Sequence, residues 1–179
     1  VLMIEGEELP PEKVAVDVAK RCNISTRGVY LLAASVASLV GTVQVPARMI
    51  ESALHKMLSL GFDVRGVVSA YGTCPLPPLA HDPLRAIGLA NDAVLYGGRC
   101  WLTMQTDDAL IEAMLGKLPS SASSDYGTSF YDLFQRYDHD FYKMDPLLFS
   151  VAEITINNLN SGRVFRVGQV KGDIVRRML

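Results

Sequence analysis

Several features that often reveal a protein's chemistry are missing from this sequence of 179 residues. Its three cysteines, Cys22, Cys74 and Cys100, are far apart and lack the CxxC spacing of a structural zinc site. Its three histidines form no His-x-x-x-His pair, so spacing specifies no metal site, although residues distant in sequence can still build one. This cysteine usage favours a reducing, cytoplasmic location.

Long apolar runs and charge of one sign are also missing. No apolar stretch reaches the roughly 18 residues of a transmembrane helix, and no basic segment leads into an apolar signal core. The net charge is -2 with both signs interspersed, which leaves no basic stripe for a polyanion. The sequence therefore predicts neither a membrane nor a nucleic acid as a partner.

Hydrophobic residues make up 49% of the sequence, which suffices for the core of one domain or of a large piece of a longer chain. The chain opens on the apolar run VLMI, typical of an interior strand, and has no initiator methionine. We therefore expect a partial chain.

Hydrophobic periodicity predicts alternating strands and helices, which favours an α/β fold, with α+β as the alternative, built on a layered mixed sheet with packed helices. Strands are predicted at residues 1–4, 29–34, 63–70, 93–104, 149–156 and 164–170, and helices at 12–20, 46–58, 84–89, 106–118, 130–137 and 173–179. Residues 35–44 are predicted to be a connector. The serine-rich residues 119–127 are predicted to be a mobile surface loop.

The helix at residues 46–58 holds the first candidate site. Pro46 suits a first helical position, because its missing N–H needs no partner there. Arg48, Glu51 and His55 then follow at i, i+3 and i+7 and share a face apart from the apolar stripe. Spacing alone leaves two interpretations open, a surface ion pair and a functional acid beside a base.

Two other stretches have an unusual composition. Residues 71–83 contain four prolines within nine residues, which predicts a rigid loop that is either the wall of a ligand pocket or a stiff crossover. Cys74 in that loop lacks an activating base in the sequence, which disfavours a nucleophile. Asp138, His139 and Asp140 stand together, but no complementary ligand spacing accompanies them.

Four strings of the sequence carry a resemblance to a known family. They are PARMIESALHKM at 46–57, YGTCPLPP at 71–78, NDAVLYGG at 91–98 and DFYKMDP at 140–146. In order, spacing and wording they resemble methenyltetrahydromethanopterin cyclohydrolase over nearly the whole chain. The family's chain is longer, so residues 1–179 resemble its C-terminal portion, with the N-terminal portion absent.

The resemblance implies reversible hydrolysis of N5,N10-methenyltetrahydromethanopterin to the N5-formyl compound, in one-carbon metabolism. It implies no metal and no redox cofactor, and a homotrimer of two-domain subunits with the pterin in a cleft between the domains. The family's catalytic arginine and glutamate fall on Arg48 and Glu51. We expect Glu51 to position and deprotonate water and Arg48 to orient Glu51 by a charge-assisted hydrogen bond.

The other matching strings supply weaker candidates for the pterin pocket. Tyr71, Asn91, Asp92 and Tyr96 carry rings, donors and acceptors that suit a pterin, with purely structural roles as the alternative. A different function class is also open, a non-catalytic pterin-binding or oligomer-assembly module when the chain is separated from the rest of the protein. A metal-dependent hydrolase is the third possibility.

Overall fold

The computed structural model describes residues 1–178, with side chains to residue 177. The strands are β1 (Leu2–Glu5), β2 (Leu31–Ala34), β3 (Val67–Thr73), β4 (Arg99–Met104), β5 (Glu153–Asn158) and β6 (Val164–Gly168). The helices are α1 (Glu12–Cys22), α2 (Leu39–Ala47), α3 (Met49–Ser59), α4 (Pro83–Gly97), α5 (Asp108–Leu115), α6 (Phe130–Arg136) and α7 (Gly172–Met178). Residue 179, the end of the helix predicted at 173–179, lies outside the described residues.

The strands form two separate sheets. Strands β1 and β2 pair in parallel, with Leu2 opposite Leu31. The larger sheet has the order β3-β4-β5-β6, in which the central pair is parallel and both outer pairs are antiparallel. Helices pack against these sheets, so the predicted α/β fold with a mixed sheet is confirmed. No helix within residues 1–178 has the length and apolar character to cross a membrane.

The main core lies between one face of the larger sheet and helices α3 and α5. Alternate residues of β4 and β5 point into it, including the fully buried Leu102 and Ile156, and Met57 of α3 meets them. A second core joins α4 to α6 through Leu95 and Phe130, among others. Together these cores fix the positions of α3 and α4, which carry the candidate site.

The helix predicted at 46–58 is wrong at its start. Pro46 lies in the last turn of α2, and Arg48, with φ -95° and ψ 15°, separates α2 from α3. Helix α2 begins instead within the predicted connector, where the Ser38 side chain accepts a hydrogen bond from the Gly41 N–H at 3.1 Å. Gly41 is required there, because a Cβ would lie 2.2 Å from the Ser35 carbonyl oxygen. Arg48 is thus a junction residue.

The strand predicted at 93–104 is correct only from Arg99 onward. Residues 83–97 form α4, which begins with Pro83 after Asp82, whose carboxylate accepts from the Arg85 N–H at 3.0 Å. Residues 92–97 are all buried, so this end of the helix has no polar face. In a short apolar run without a polar face, hydrophobic periodicity does not distinguish a helix from a strand.

The serine-rich segment 119–127 is not the mobile surface loop predicted from its composition. Ser120 is fully buried, and its hydroxyl donates to the Leu95 carbonyl oxygen at 2.5 Å. The buried Ser123 donates to the Asp145 carboxylate at 2.7 Å. The segment is therefore fastened to α4 and to the chain before β5 by specific hydrogen bonds.

Candidate active site

Arg48 and Glu51 line one cavity of about 240 Å³, although they belong to different elements. Its wall combines α2, α3 and α4 with four residues from outside these helices, Glu5, Val36, Arg48 and Phe141. The lining residues are Glu5, Val36, Gln44, Val45, Arg48, Glu51, Ser52, Ile87, Asn91 and Phe141. Three of the residues predicted from sequence, Arg48, Glu51 and Asn91, are thus brought together.

Gln44 holds the guanidinium of Arg48. Arg48 donates from Nη2 to Gln44 Oε1 at 2.7 Å and from Nε to the Gln44 carbonyl oxygen at 3.2 Å. Gln44 Nε2 in turn donates to Glu5 Oε2 at 3.0 Å. Within the described residues Arg48 makes no hydrogen bond to Glu51, so the direct contact expected from sequence is replaced by this Glu5–Gln44–Arg48 series.

Glu51 lies in the first turn of α3 and is exposed to the cavity. A carboxylate there is stabilised by the partial positive charge of the helix N-terminus. Within residues 1–178 Glu51 forms no ion pair, and its carboxylate accepts no hydrogen bond from another side chain. Both carboxylate oxygens are therefore available to a water molecule or a ligand in the cavity.

A larger, mainly apolar cavity of about 570 Å³ adjoins the first one. The two share Glu5, Gln44 and Arg48. The remaining lining residues come from β1, β2 and α2, namely Met3, Ile4, Leu32, Ala33, Ala34, Val40 and Gly41. This volume falls in the range of sites for cofactor-sized molecules. We call the two adjoining cavities the Arg48 cleft.

Asp92 and Tyr96 lie on another side of α4 from the Arg48 cleft and line a separate cavity of about 490 Å³. Asp92 Oδ1 accepts from the Phe130 N–H at 2.8 Å, and burial raises the pKa of Asp92 to about 7, with a further increase from the charge of Asp132. The Tyr96 hydroxyl donates to the Thr128 carbonyl oxygen at 2.7 Å, and burial raises its pKa to about 12. Both residues hold the start of α6 and the loop before it.

Tyr71 lies on β3 and lines none of the cavities described above. The neighbouring Gly72 faces α3, because a Cβ there would be 3.0 Å from the Met49 sulfur. Since successive residues of a strand point to opposite faces, Tyr71 lies on the face turned away from α3. Its ring is 63% exposed and packs 5.5 Å from that of Trp101, measured between centroids.

The remaining candidates are dispersed. His55 is exposed on α3. Asp138 pairs with Lys143 at 3.3 Å, and the His139 ring packs edge-on to Phe134. Burial raises the pKa of Cys74 to about 12, which keeps the thiol protonated. Across residues 1–178 no three or more His, Cys, Asp or Glu side chains are grouped to hold a metal ion.

Sequence reasoning missed Gln44 and Phe141 as lining residues. Gln44 lies four residues before Arg48, a spacing at which side chains on one helix meet, but it falls within the predicted connector at residues 35–44. Phe141 reaches the cleft from a distant segment, and one sequence carries no signal for such a long-range contact.

Similarity to known proteins extends over the whole chain. The family model "Cyclohydrolase (MCH)" matches residues 1–179. A relative from Methanothermobacter marburgensis named methenyltetrahydromethanopterin cyclohydrolase is 42% identical over 179 residues, covering 99% of this chain and 56% of the relative. Relatives of the same name from Rhodopirellula baltica and Methanocaldococcus jannaschii are 42% and 41% identical over 98% and 100% of this chain, and 53% and 56% of their own lengths. The chain therefore spans about half the length of the curated relatives it matches.

Proposed function

The chain belongs to the cyclohydrolase (MCH) family, and from this premise we propose that it is the part of a methenyltetrahydromethanopterin cyclohydrolase that carries the reacting groups. The reaction is the reversible hydrolysis of N5,N10-methenyltetrahydromethanopterin to the N5-formyl compound in one-carbon metabolism. The observation that carries the proposal is that Arg48 and Glu51 meet in one cavity beside a larger apolar one.

The proposed chemistry needs one base and one water molecule. The bridge carbon of the substrate is an amidinium carbon and is already electrophilic. Glu51 accepts a hydrogen bond from the water and takes its proton as the carbon–oxygen bond forms. The tetrahedral intermediate then breaks its bond to N10, and N10 receives the proton that Glu51 took from water. The hydroxyl of the intermediate loses its remaining proton to solvent as the formyl C=O bond forms. Since the substrate is a cation and the formyl product is neutral, one proton is released for each turnover.

Arg48 is proposed to act on Glu51 through its charge. The bonds to Gln44 fix the guanidinium at the boundary between the two cavities. From there its positive charge attracts the carboxylate of Glu51 and orients it toward the water. The Glu5–Gln44–Arg48 series thus supports the reacting carboxylate indirectly.

The pterin is proposed to occupy the Arg48 cleft. Asn91 donates from Nδ2 to the Ile87 carbonyl oxygen at 2.9 Å, so its amide is held at the cavity wall. Its Oδ1 accepts no hydrogen bond from the part of the chain that the structure describes and can accept one from a ligand N–H. For Asp92 and Tyr96 we favour the structural role that the sequence left open. Their hydrogen-bond partners are backbone groups of Phe130, Thr128 and Gly127, at the start of α6 and in the loop before it. Tyr71 stays a prediction.

We further propose that the enzyme is a cytoplasmic homotrimer that uses neither a metal nor a redox cofactor. The mass of the native protein in solution checks the trimer. Turnover that survives exhaustive treatment with a chelator supports metal independence, whereas turnover that returns only on adding a divalent cation contradicts it.

A second candidate function is a non-catalytic pterin-binding or assembly module. The observation in its favour is the apolar surface around the Arg48 cleft, where Leu32, Leu39 and Val40 are 57–65% exposed. Such a surface is typical of a site that another protein segment or a ligand covers.

Loss of the methenyl chromophore distinguishes the two candidates. Methenyltetrahydromethanopterin is mixed with the 179-residue chain and, separately, with the natural polypeptide that contains it. Turnover by the natural polypeptide supports the enzyme, and turnover by the chain alone shows that it holds a complete site. Binding of the substrate without turnover by either protein supports the module.

A further inference from the structure

One buried cation on α3 takes no part in the proposed chemistry. Lys56 is 1% exposed, although it belongs to the same helix as Glu51. It lies one helical turn beyond Ser52, which lines the cavity of Arg48 and Glu51, and so shares the face of α3 on which Ser52 lies. A lysine is almost never buried to this extent without a specific partner.

The partner of Lys56 belongs to a distant segment of the chain. Its Nζ donates to the carbonyl oxygen of Leu147, and the Asp145 carboxylate also attracts it. Burial outweighs that attraction and lowers the pKa of Lys56 to about 8. The side chain is therefore an ammonium at neutral pH, in a position where a buried charge lowers the stability of the fold.

The segment that Lys56 contacts also forms part of the cavity wall. Residues 141–148 contain two short 3-10 turns, and Phe141 at their start lines the same cavity as Glu51 and Ser52. Hydrogen bonds from Ser123 and Ser124 to the Asp145 carboxylate hold this segment against residues 123–124. The segment is thus a fixed support.

We propose that Lys56 is a positioning residue for Glu51, because its ammonium links the helix that bears Glu51 to the segment that bears Phe141, and both residues line the same cavity. The inference rests on the proposed function. It gives a reason for the buried charge on α3.

The test replaces Lys56 by methionine, which keeps the aliphatic stem and removes the ammonium. Lys143→Met is the matched control, since Lys143 is an exposed lysine of the same segment, and its ion pair is with Asp138. We expect Lys56→Met to lower kcat at least about tenfold with KM little changed, because Glu51 is displaced while the pterin surface stays intact. The thermal midpoint is expected to stay near that of the parent, because removing a buried charge offsets the lost hydrogen bond to Leu147.

Amide hydrogen exchange measures the link between α3 and residues 141–148 directly, independently of turnover. Lys56→Met is expected to speed exchange in both residues 49–59 and residues 141–148, and Lys143→Met in neither. If the parent protein has no turnover, the proposed function fails while this measurement still decides the role of Lys56. Lys56→Gln, which keeps a donor, is examined in the same way if the methionine variant does not fold.

Unchanged kcat in Lys56→Met would overturn the inference, as would an equal loss in Lys143→Met. Unchanged exchange in the two segments would overturn it as well, whatever the kinetics. A loss of thermal stability with kcat preserved would show that Lys56 is structural only.

Discussion

The chain is packed very differently on the two sides of Arg48. In residues 1–47, which we call the amino-terminal layer, the buried hydrophobic residues are Ala19 and Val36. In residues 48–178, the carboxy-terminal body, complete cores lie on one face of the four-stranded sheet and between α4 and α6. The body therefore resembles a finished domain, whereas the layer resembles one side of an interface.

The small sheet of β1 and β2 shows the same weak packing of the amino-terminal layer. Parallel strands are normally buried on both faces, and a two-stranded sheet is marginal by itself. Leu32 of β2 is nevertheless 57% exposed and Met3 of β1 is 80% exposed. The proposed site lies at the boundary, with Arg48 at the junction and Glu51 in the first turn of the body. Its geometry therefore depends on how firmly the layer is held against the body.

Core truncation is expected to give the largest difference between the two regions. Leu102→Ala, in the body, should lower the free energy of unfolding by about 2–5 kcal/mol, because it leaves a cavity among fully buried neighbours. The matched Leu32→Ala, in the layer, should change it by less than about 0.5 kcal/mol. Chemical denaturation of both variants checks this, and equal losses would show that the layer has a core of its own.

The buried acid of the body should make stability depend on pH. The pKa of Asp92 is about 7 in the folded protein against an ordinary value of 3.8. The folded state therefore binds more protons between about pH 4 and pH 7, so this contribution to stability is present at low pH and is lost as the pH rises through 7. At one pKa unit per 1.4 kcal/mol the loss is roughly 4 kcal/mol at most.

Asp92→Asn isolates this effect, because the amide oxygen still accepts from the Phe130 N–H. Denaturation midpoints across pH 4–8 should decline less in the variant than in the parent protein. The same slope in both would show that other groups cause it.

Lys56 should give a smaller total change in stability, of opposite sign. Its folded pKa of about 8 lies below the ordinary 10.5, so between these pH values the unfolded state holds a proton that the folded state lacks. Stability should rise with pH in that window, by about 3 kcal/mol at most. Asp145 is the charged group that opposes the shift. The difference in the free energy of unfolding between the parent protein and Lys56→Met gives this contribution. A difference that does not change with pH above 8 would contradict it.

A small and local effect is expected from the helix cap of the layer. Ser38→Ala removes the side-chain cap of α2 and should cost about 1 kcal/mol, confined to that helix. Amide exchange in residues 39–47 should accelerate while the body keeps its protection. Acceleration throughout the body would mean that the two regions unfold together.

The sequence predicted what depends on local pattern. It predicted the mixed α/β fold and the strands in the second half of the body. It also predicted Arg48 and Glu51 as candidates together, because residues three positions apart stay close even though Arg48 is not helical. Prediction from the sequence failed where tertiary packing determines whether a segment is helix or strand. Helix α2 tolerates Pro46 near its end, and the buried end of α4 has no polar face to distinguish it from a strand.

The pocket was predictable only in part for the same reason. Asn91 and Asp92 are neighbours in sequence, yet α4 turns them into different cavities. Gln44 and Phe141 enter the Arg48 cleft through a helix that was not predicted and through a distant contact. Burial of Lys56 and of Ser120 likewise follows from tertiary packing, which overrides the usual exposure of these residue types.

Turnover of methenyltetrahydromethanopterin by Glu51→Gln tests the central claim most directly. It is measured in the natural polypeptide that contains this chain, together with substrate affinity and with Glu112→Gln, a change at an exposed glutamate of α5, as control. We expect Glu51→Gln to lower kcat roughly 10²-fold or more, because the group that takes the proton from water is lost, while affinity and the control stay near the parent values. Turnover of the Glu51→Gln protein close to that of the parent, with unchanged affinity, would contradict the account.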